Sequence, residues 1–356
     1  MRRWVTWTVM ILAIVTTAAS ERPSQALDQG EAAKASDVPK FSWPKGVPRE
    51  LPVDLGGGVK MEFVLIPAGS FMMGSGESAD ATAAFFKKNY GVYLLTVHFF
   101  KHEHPQHRVR ITKPFYLGTY HVTRGQFRQF VKESGYKTDS EKGDRPGAWG
   151  WTSEKRQFPS EFNRRYSWRN AGFEQTDEHP VVNVSWNDAV AFCQWLSRKE
   201  GKTYQLPSEA QWEYACRAGT KTRYSSGDDP ETLAKVGNVA DAALKARFPD
   251  LEYSYPIKAS DGYVFTAPVG KFKPNAFGLY DMHGNAIQWC ADWFDDPEYY
   301  TKSPADDPTG PGAGDGRISR GGSWANSPFD CRSATRGRTS VNDRSSIIGF
   351  RVARTL

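Results

Sequence analysis

HPVVNVSWNDAVAFCQWLSRKEG (179–201), followed closely by LPSEAQWEYACRAGT (206–220), carries the two strongest helix signals in the chain. Ser185 opens the first as a cap. Ala189, Phe192, Trp195 and Leu196 then fall on one side, and Gly201 supplies the stop. Ser208 and Gln211 have capping-box spacing, so a second helix should run to Gly219. Cys193 and Cys216 sit on the apolar faces of these helices, which reads as core packing or structural disulfide bonding.

Toward the N-terminus, order is expected to begin near MEFVLIPAGSFMMGS (61–75), where Phe63 to Ile66 form a buried strand closed by Pro67 and Gly69. Residues 76–101 read as an inserted loop or short helix. HRVRITKPFYLG (107–118) alternates like a strand pair, and Thr123 can cap a helix that presents Phe127, Phe130 and Val131. Beyond residue 220 the helical period gives way to short strands and Gly/Asn/Asp/Pro turns. No internal repeat is visible. The organisation expected is one α+β domain over 48–356, low in regular secondary structure, behind a Pro-rich linker over 21–47.

Composition agrees with a turn-rich fold pinned by aromatics: 12 Trp, 15 Tyr and 21 Phe stand beside 32 Gly and 22 Pro. The net charge of +6 comes from 46 basic and 40 acidic residues that are well interspersed. No basic stripe with interleaved aromatics is present, which argues against nucleic acid as a partner. MRRWVTWTVMILAIVTTAAS (1–20) has a charged start, an apolar run shorter than a membrane span needs, and small residues before Ser20. It reads as a cleaved signal peptide, with an uncleaved anchor as the alternative, and implies a secreted or periplasmic protein. In an oxidising compartment Cys193, Cys216, Cys290 and Cys331 could pair in three ways.

Sharp catalytic motifs are few. There is no nucleophile elbow, P-loop or dinucleotide fingerprint. His98, His102, His104 and His107 form a local group that could bind a transition metal, although a solvated loop explains it as well. Two turns are rich in oxygen donors: Gly237-Asn238-Val239 with Asp261-Gly262-Tyr263, and DMHGNAIQW (281–289). Calcium accepts such mixtures of carboxylate, amide and main-chain oxygens.

The blocks FVLIPAGSFMMGS, HRVRITKPFYLGTYHVT, HPVVNVSWNDAVAFCQWL, LPSEAQWEYACRAGT, NAFGLYDMHGNAIQW, RGGSW and IGFR occur in this order over residues 60–354. In them the chain resembles the sulfatase-modifying-factor family, best known for the formylglycine-generating enzyme. The resemblance implies a C-type-lectin-like core and two calcium sites. The first would fall on Asn238, Asp261 and the main-chain oxygens of Val239 and Tyr263. The second would fall on Asp281, Gly284, Ala286 and Gln288. At that second site the chain has Asp281 and Gln288 where the family has Asn and Glu, which keeps one carboxylate.

The resemblance also implies that two cysteines, five residues apart after Gly-Gly-Ser, hold copper(I) and oxidise a cysteine of a sulfatase to an aldehyde. Counted forward from Gly321-Gly322-Ser323, the first position holds Asn326 and the second Cys331. Half of the copper clamp is therefore missing. Counted back from Gly349-Phe350-Arg351 with a gap, Cys331 is instead a structural cysteine. Cys331 and Ser323 are the catalytic candidates on the first count. The functions left open are an altered formylglycine generator, a relative of the iron-dependent sulfoxide synthases, and a non-catalytic module. The synthases resemble fusions with a helical iron-binding domain, which is not visible before residue 48. The module would bind a sulfatase, another exported polypeptide or a glycan, with Trp289, Trp324, Arg320 and Arg336 in its groove.

Overall fold

The computed structural model describes residues 41–356 except 93–96, 152–160, 250–254 and 296–297, so the expected signal peptide and most of the expected linker lie outside the described residues. The part of that linker which is described packs on the domain. Phe41 and Trp43 both lie against Phe277, with ring centroids 4.5 and 6.2 Å away. Regular structure then starts at Glu50, eleven residues earlier than the apolar block at 61 suggests, because Glu50–Gly56 pairs antiparallel with Val59–Ile66 as a hairpin.

The fold is α+β. A five-stranded antiparallel sheet runs in the order Glu50–Gly56, Val59–Ile66, Phe115–Gly118, Ala353–Thr355, Tyr204–Gln205. The last strand of the chain thus lies inside the sheet that its first strands begin. A four-stranded sheet has the order Gly337–Thr339, Arg317–Arg320, Ile287–Trp293, Ile348–Phe350, and its final pair is parallel. Two small ribbons complete the strands: Gly69–Met73 with His107–Ile111, and Ala148–Gly150 with Glu161–Asn163. HRVRITKPFYLG therefore does give two strands, but each pairs elsewhere. Lys113-Pro114 turns the chain from one sheet into the other.

The helices follow their caps. Trp186–Glu200 starts at Ser185 and stops at Gly201 in the left-handed region, and it buries Ala189, Phe192, Cys193, Trp195 and Leu196. Thr123 and Ser208 close reciprocal capping boxes on Arg124–Ser134 and Glu209–Arg217. The second of these ends one residue before Gly219, on Ala218 at φ 44°. The region 76–101 holds helices Ala79–Tyr90 and Val97–Lys101. No helix among the described residues is long and apolar enough to cross a membrane.

Phe127, Phe130, Phe192 and Phe350 interlock in one core with Trp168 and Trp289. A second core gathers Trp212, Cys216, Leu279 and Cys290 between the sheets. All four cysteines are buried and free. The disulfide bonding considered above is thus absent, and packing accounts for the thiols.

Candidate functional site

Helix Glu209–Arg217 brings Glu209, Glu213 and Arg217 to one face by their spacing of four residues. That face meets Arg320 from the end of strand Arg317–Arg320 and Arg336 from the turn before Gly337. Arg320 Nε donates to Glu209 (3.0 Å) and its Nη2 to Glu213 (2.8 Å), while Nη1 serves the carbonyls of Ser333 and Thr335. Arg336 binds Glu209 from the other side through Nε (2.7 Å) and Nη2 (3.0 Å). Glu213 also accepts from Arg217 and from the Gly74 amide. Burial alone would raise the Glu209 carboxyl, but Arg336 and Arg320 hold it below its usual range. The result is a chain of alternating charges, each member buried and partnered.

Over this chain lies a cleft of about 390 Å³, walled by His98, Phe99, His102, Phe294, Asn326, Asp330 and Arg338. Arg320 and Arg336 reach its floor, but their guanidinium groups are committed to glutamates. Trp289 and Trp324 are fully buried and donate to the carbonyls of Val184 and Ser346. Of the four residues expected in a groove, Arg320 and Arg336 do line this cleft, whereas Trp289 and Trp324 are buried and not among its lining residues. Of the histidine group, the His98 and His102 rings sit 5.6 Å apart, whereas His107 packs on Tyr300. Among the described residues no three His, Cys, Asp or Glu side chains gather as a metal site.

The Gly-Gly-Ser stretch forms the inner wall. Ser323 Oγ donates to Asn326 Oδ1 (2.6 Å), and Asn326 Nδ2 donates to Asp330 (3.2 Å). Burial pushes the Asp330 carboxyl up to about 7. Cys331 lies behind this row, and its sulfur rests on the backbone of Gly322, so closely that φ 70° and the missing side chain there are both required. The thiol is fully buried among Tyr224, Leu233, Val239 and Ile257, and burial drives its pKa well above the ordinary value. Asn326 and Asp330 therefore face the cleft, while Ser323 and Cys331 are not among its lining residues. A thiol reagent is expected to find no accessible cysteine in the native protein and all four after denaturation. Rapid labelling of one thiol in the native state would contradict this arrangement.

The two oxygen-rich turns touch each other and the Gly-Gly-Ser stretch. Asn285 N donates to Asn238 O (2.6 Å), Gly284 N to Gly321 O (2.7 Å), and Trp324 N to Asn285 O (3.2 Å). His283 closes the group against the Cys331 carbonyl at 2.8 Å. In the first turn Asn238 Nδ2 is tied to Phe265 O (2.7 Å), and its oxygen is buried with no hydrogen-bond partner. Asp261 accepts from the amides of Val239 and Tyr263, and burial followed by repulsion from Asp241 raises it to about 7. An orphaned amide oxygen beside two crowded carboxylates suits a divalent cation, so these residues fit calcium.

The second turn differs. Gln288 Oε1 already accepts from Trp212 Nε1 (2.9 Å) and Arg351 Nε (3.1 Å), and Ala286 O faces His121 Nε2 (2.8 Å). Burial, then the charge of Arg351, pushes His121 down to about 3, so the ring is neutral and Nε2 carries the proton toward the carbonyl. Gln288, mapped here where the family has Glu, thus has no lone pair left for a calcium ion. Asp241, Asn285 and His121 were invisible as site residues in the sequence. Only the placing of Asp241 before Ala242–Arg247, as an N-cap, gives a local signal.

The sequence model described as "Sulfatase-modifying factor enzyme 1-like domain" matches residues 57–356. The formylglycine-generating enzyme of Streptomyces coelicolor is 36% identical over 279 residues, which span 70% of this chain and 81% of that protein. The inactive C-alpha-formylglycine-generating enzyme 2 of Bos taurus is 29% identical, over 85% and 90% of the two chains. Among solved structures, PvdO from Pseudomonas aeruginosa superposes with a TM-score of 0.62 at 32% identity, covering 86% of this chain and 98% of that one.

Proposed function

This chain belongs to the sulfatase-modifying factor family, and from that premise we propose an exported member that binds a polypeptide in its cleft without the family's copper chemistry. The observation that carries the reading is the row Ser323–Asn326–Asp330. The amide at the first clamp position is engaged on both sides, and the single thiol is buried behind it. Copper(I) prefers paired soft donors, and a carboxamide oxygen is a hard one. What the cleft offers instead is hydrogen bonding from Asn326 and Asp330, apolar contact with Phe99 and Phe294, and the exposed cation of Arg338.

Purified protein should therefore leave the cysteine of a sulfatase peptide unoxidised in the presence of copper(I) and oxygen, and Cys331→Ser should change nothing in that assay. Asn326→Cys should create copper(I) binding that the parent lacks. Turnover by the parent, abolished by Cys331→Ser, would overturn the reading in favour of an altered formylglycine generator.

Calcium belongs to the same proposal. Asn238, Asp261 and the neighbouring Asp241 supply oxygens for one ion, with the Val239 and Tyr263 carbonyls as main-chain ligands. Bound there, the ion would fix the turn on which Asn285 and the Gly-Gly-Ser stretch rest.

A further inference from the structure

We infer that the turn 281–288 does not hold the second calcium implied by the family resemblance and is closed by the protein's own proton donors, His121 and Arg351. Calcium needs about six to eight oxygens at 2.3–2.6 Å. Of the four residues mapped to it, Gln288 has given its oxygen away and Ala286 one lone pair of its carbonyl. Both lone pairs of Gln288 Oε1 are used, one by the Trp212 indole and one by the Arg351 guanidinium. The orientation of this amide is fixed by those donors. Its Nε2 consequently points at the Asp281 carbonyl, 3.1 Å away, and presents hydrogens to the interior of the turn. One lone pair of the Ala286 carbonyl goes to His121 at 2.8 Å.

Asp281 remains, with one oxygen accepting from Gly270 N (3.1 Å) and the other buried without a partner. With the Gly284 carbonyl and the remaining lone pair of the Ala286 carbonyl, these residues offer three donors, short of the about six to eight oxygens of a calcium shell. The positive charge such a shell would hold is present already. Arg351 is fully buried, and its two terminal nitrogens donate to Gly118 O (2.5 Å) and Tyr280 O (2.6 Å). One guanidinium thus stitches three segments: the end of strand Phe115–Gly118, the residue before Asp281, and Gln288 in strand Ile287–Trp293. Arg351 follows strand Ile348–Phe350 directly, and His121 lies three residues after Gly118. Both donors come from rigid sheet ends, which suits them to hold the turn without a metal.

Calcium counting tests this on the full chain, and it depends on the proposed first site only for the number expected. Calorimetric titration of calcium-stripped protein should give one ion per chain. Asp261→Asn, which leaves the turn 281–288 untouched, should lose that ion and with it any rise of the thermal midpoint by calcium. Asn238→Ala provides the same arm should Asp261→Asn fail to fold. Asp281→Asn should keep the parent's affinity within about two-fold. Two ions per chain, or a calcium-dependent midpoint persisting in Asp261→Asn or Asn238→Ala, would overturn the inference. Loss of the ion in Asp281→Asn alone would overturn it too. A parent that binds no ion would retire the first site and leave this inference standing.

Discussion

Replacing Glu213 with alanine is expected to lower the stability of the fold by about 3–5 kcal/mol, the range for removing one partner of a buried ion pair. The loss is large because Glu213 answers three donors at once: Arg320 Nη2, Arg217 Nε and the amide of Gly74. Arg320 and Glu213 have no exposed side-chain surface, so water cannot take over the bonds. The loss should be about that large in urea melts, and Glu213→Gln should recover part of it by keeping the acceptor oxygen. A drop under 1 kcal/mol would mean that the charges relax onto other partners. The same network makes an acid prediction. Glu209 is held below its ordinary pKa, so its contribution is complete above the unfolded value of about 4.3 and is lost as pH falls through the lower folded value.

Gly284→Ala should be comparably damaging, by about 2–5 kcal/mol, from left-handed backbone strain of about 1–2 and overpacking of about 1–3. Gly284 stands at φ 87° with Asn238 O directly over its Cα, and a methyl there would enter that backbone oxygen. Gly237, in the facing turn, is pressed as closely against His283 O. The two turns thus meet backbone to backbone, and although Val239 Cγ1 also presses on Gly284, the nearest obstacle is a main-chain oxygen that cannot step aside. Gly262→Ala is the control. Its φ of 92° is as demanding, but nothing lies within 4 Å, so only the strain term of about 1–2 kcal/mol should appear. Equal losses at Gly284 and Gly262 in thermal or urea unfolding would show that the close approach of the turns contributes nothing.

These two sites also mark where sequence reading stops. The apolar run FVLI, the caps at Thr123, Ser185 and Ser208, and the stop at Gly201 are local. Each is a hydrogen bond or a face decided within four or five residues, and each stands in the structure as the sequence implies. The ordered blocks likewise sufficed for the family. The strand pairing of HRVRITKPFYLG did not follow, because alternation gives a strand its faces and not its neighbours.

Partners remote in sequence were settled only by folding. Glu209 and Glu213 are spaced to share a helical face, yet nothing local says that Arg320 and Arg336, over a hundred residues later, will neutralise them. Trp289 and Trp324 read as groove residues because composition cannot tell a buried donor from an exposed one, whereas Arg320 and Arg336 do line the cleft. In the turn 281–288 the residue types suit calcium, but the direction of one amide does not. Trp212 and Arg351, 76 and 63 residues away in sequence, orient Gln288. Local backbone preference acts over a turn of chain, so sequence alone determined the elements and the family. Lone pairs and charges are satisfied across space, so only the tertiary structure decided which oxygens remain for a metal, which face of the Gly-Gly-Ser stretch meets the cleft, and that Cys331 lies behind it.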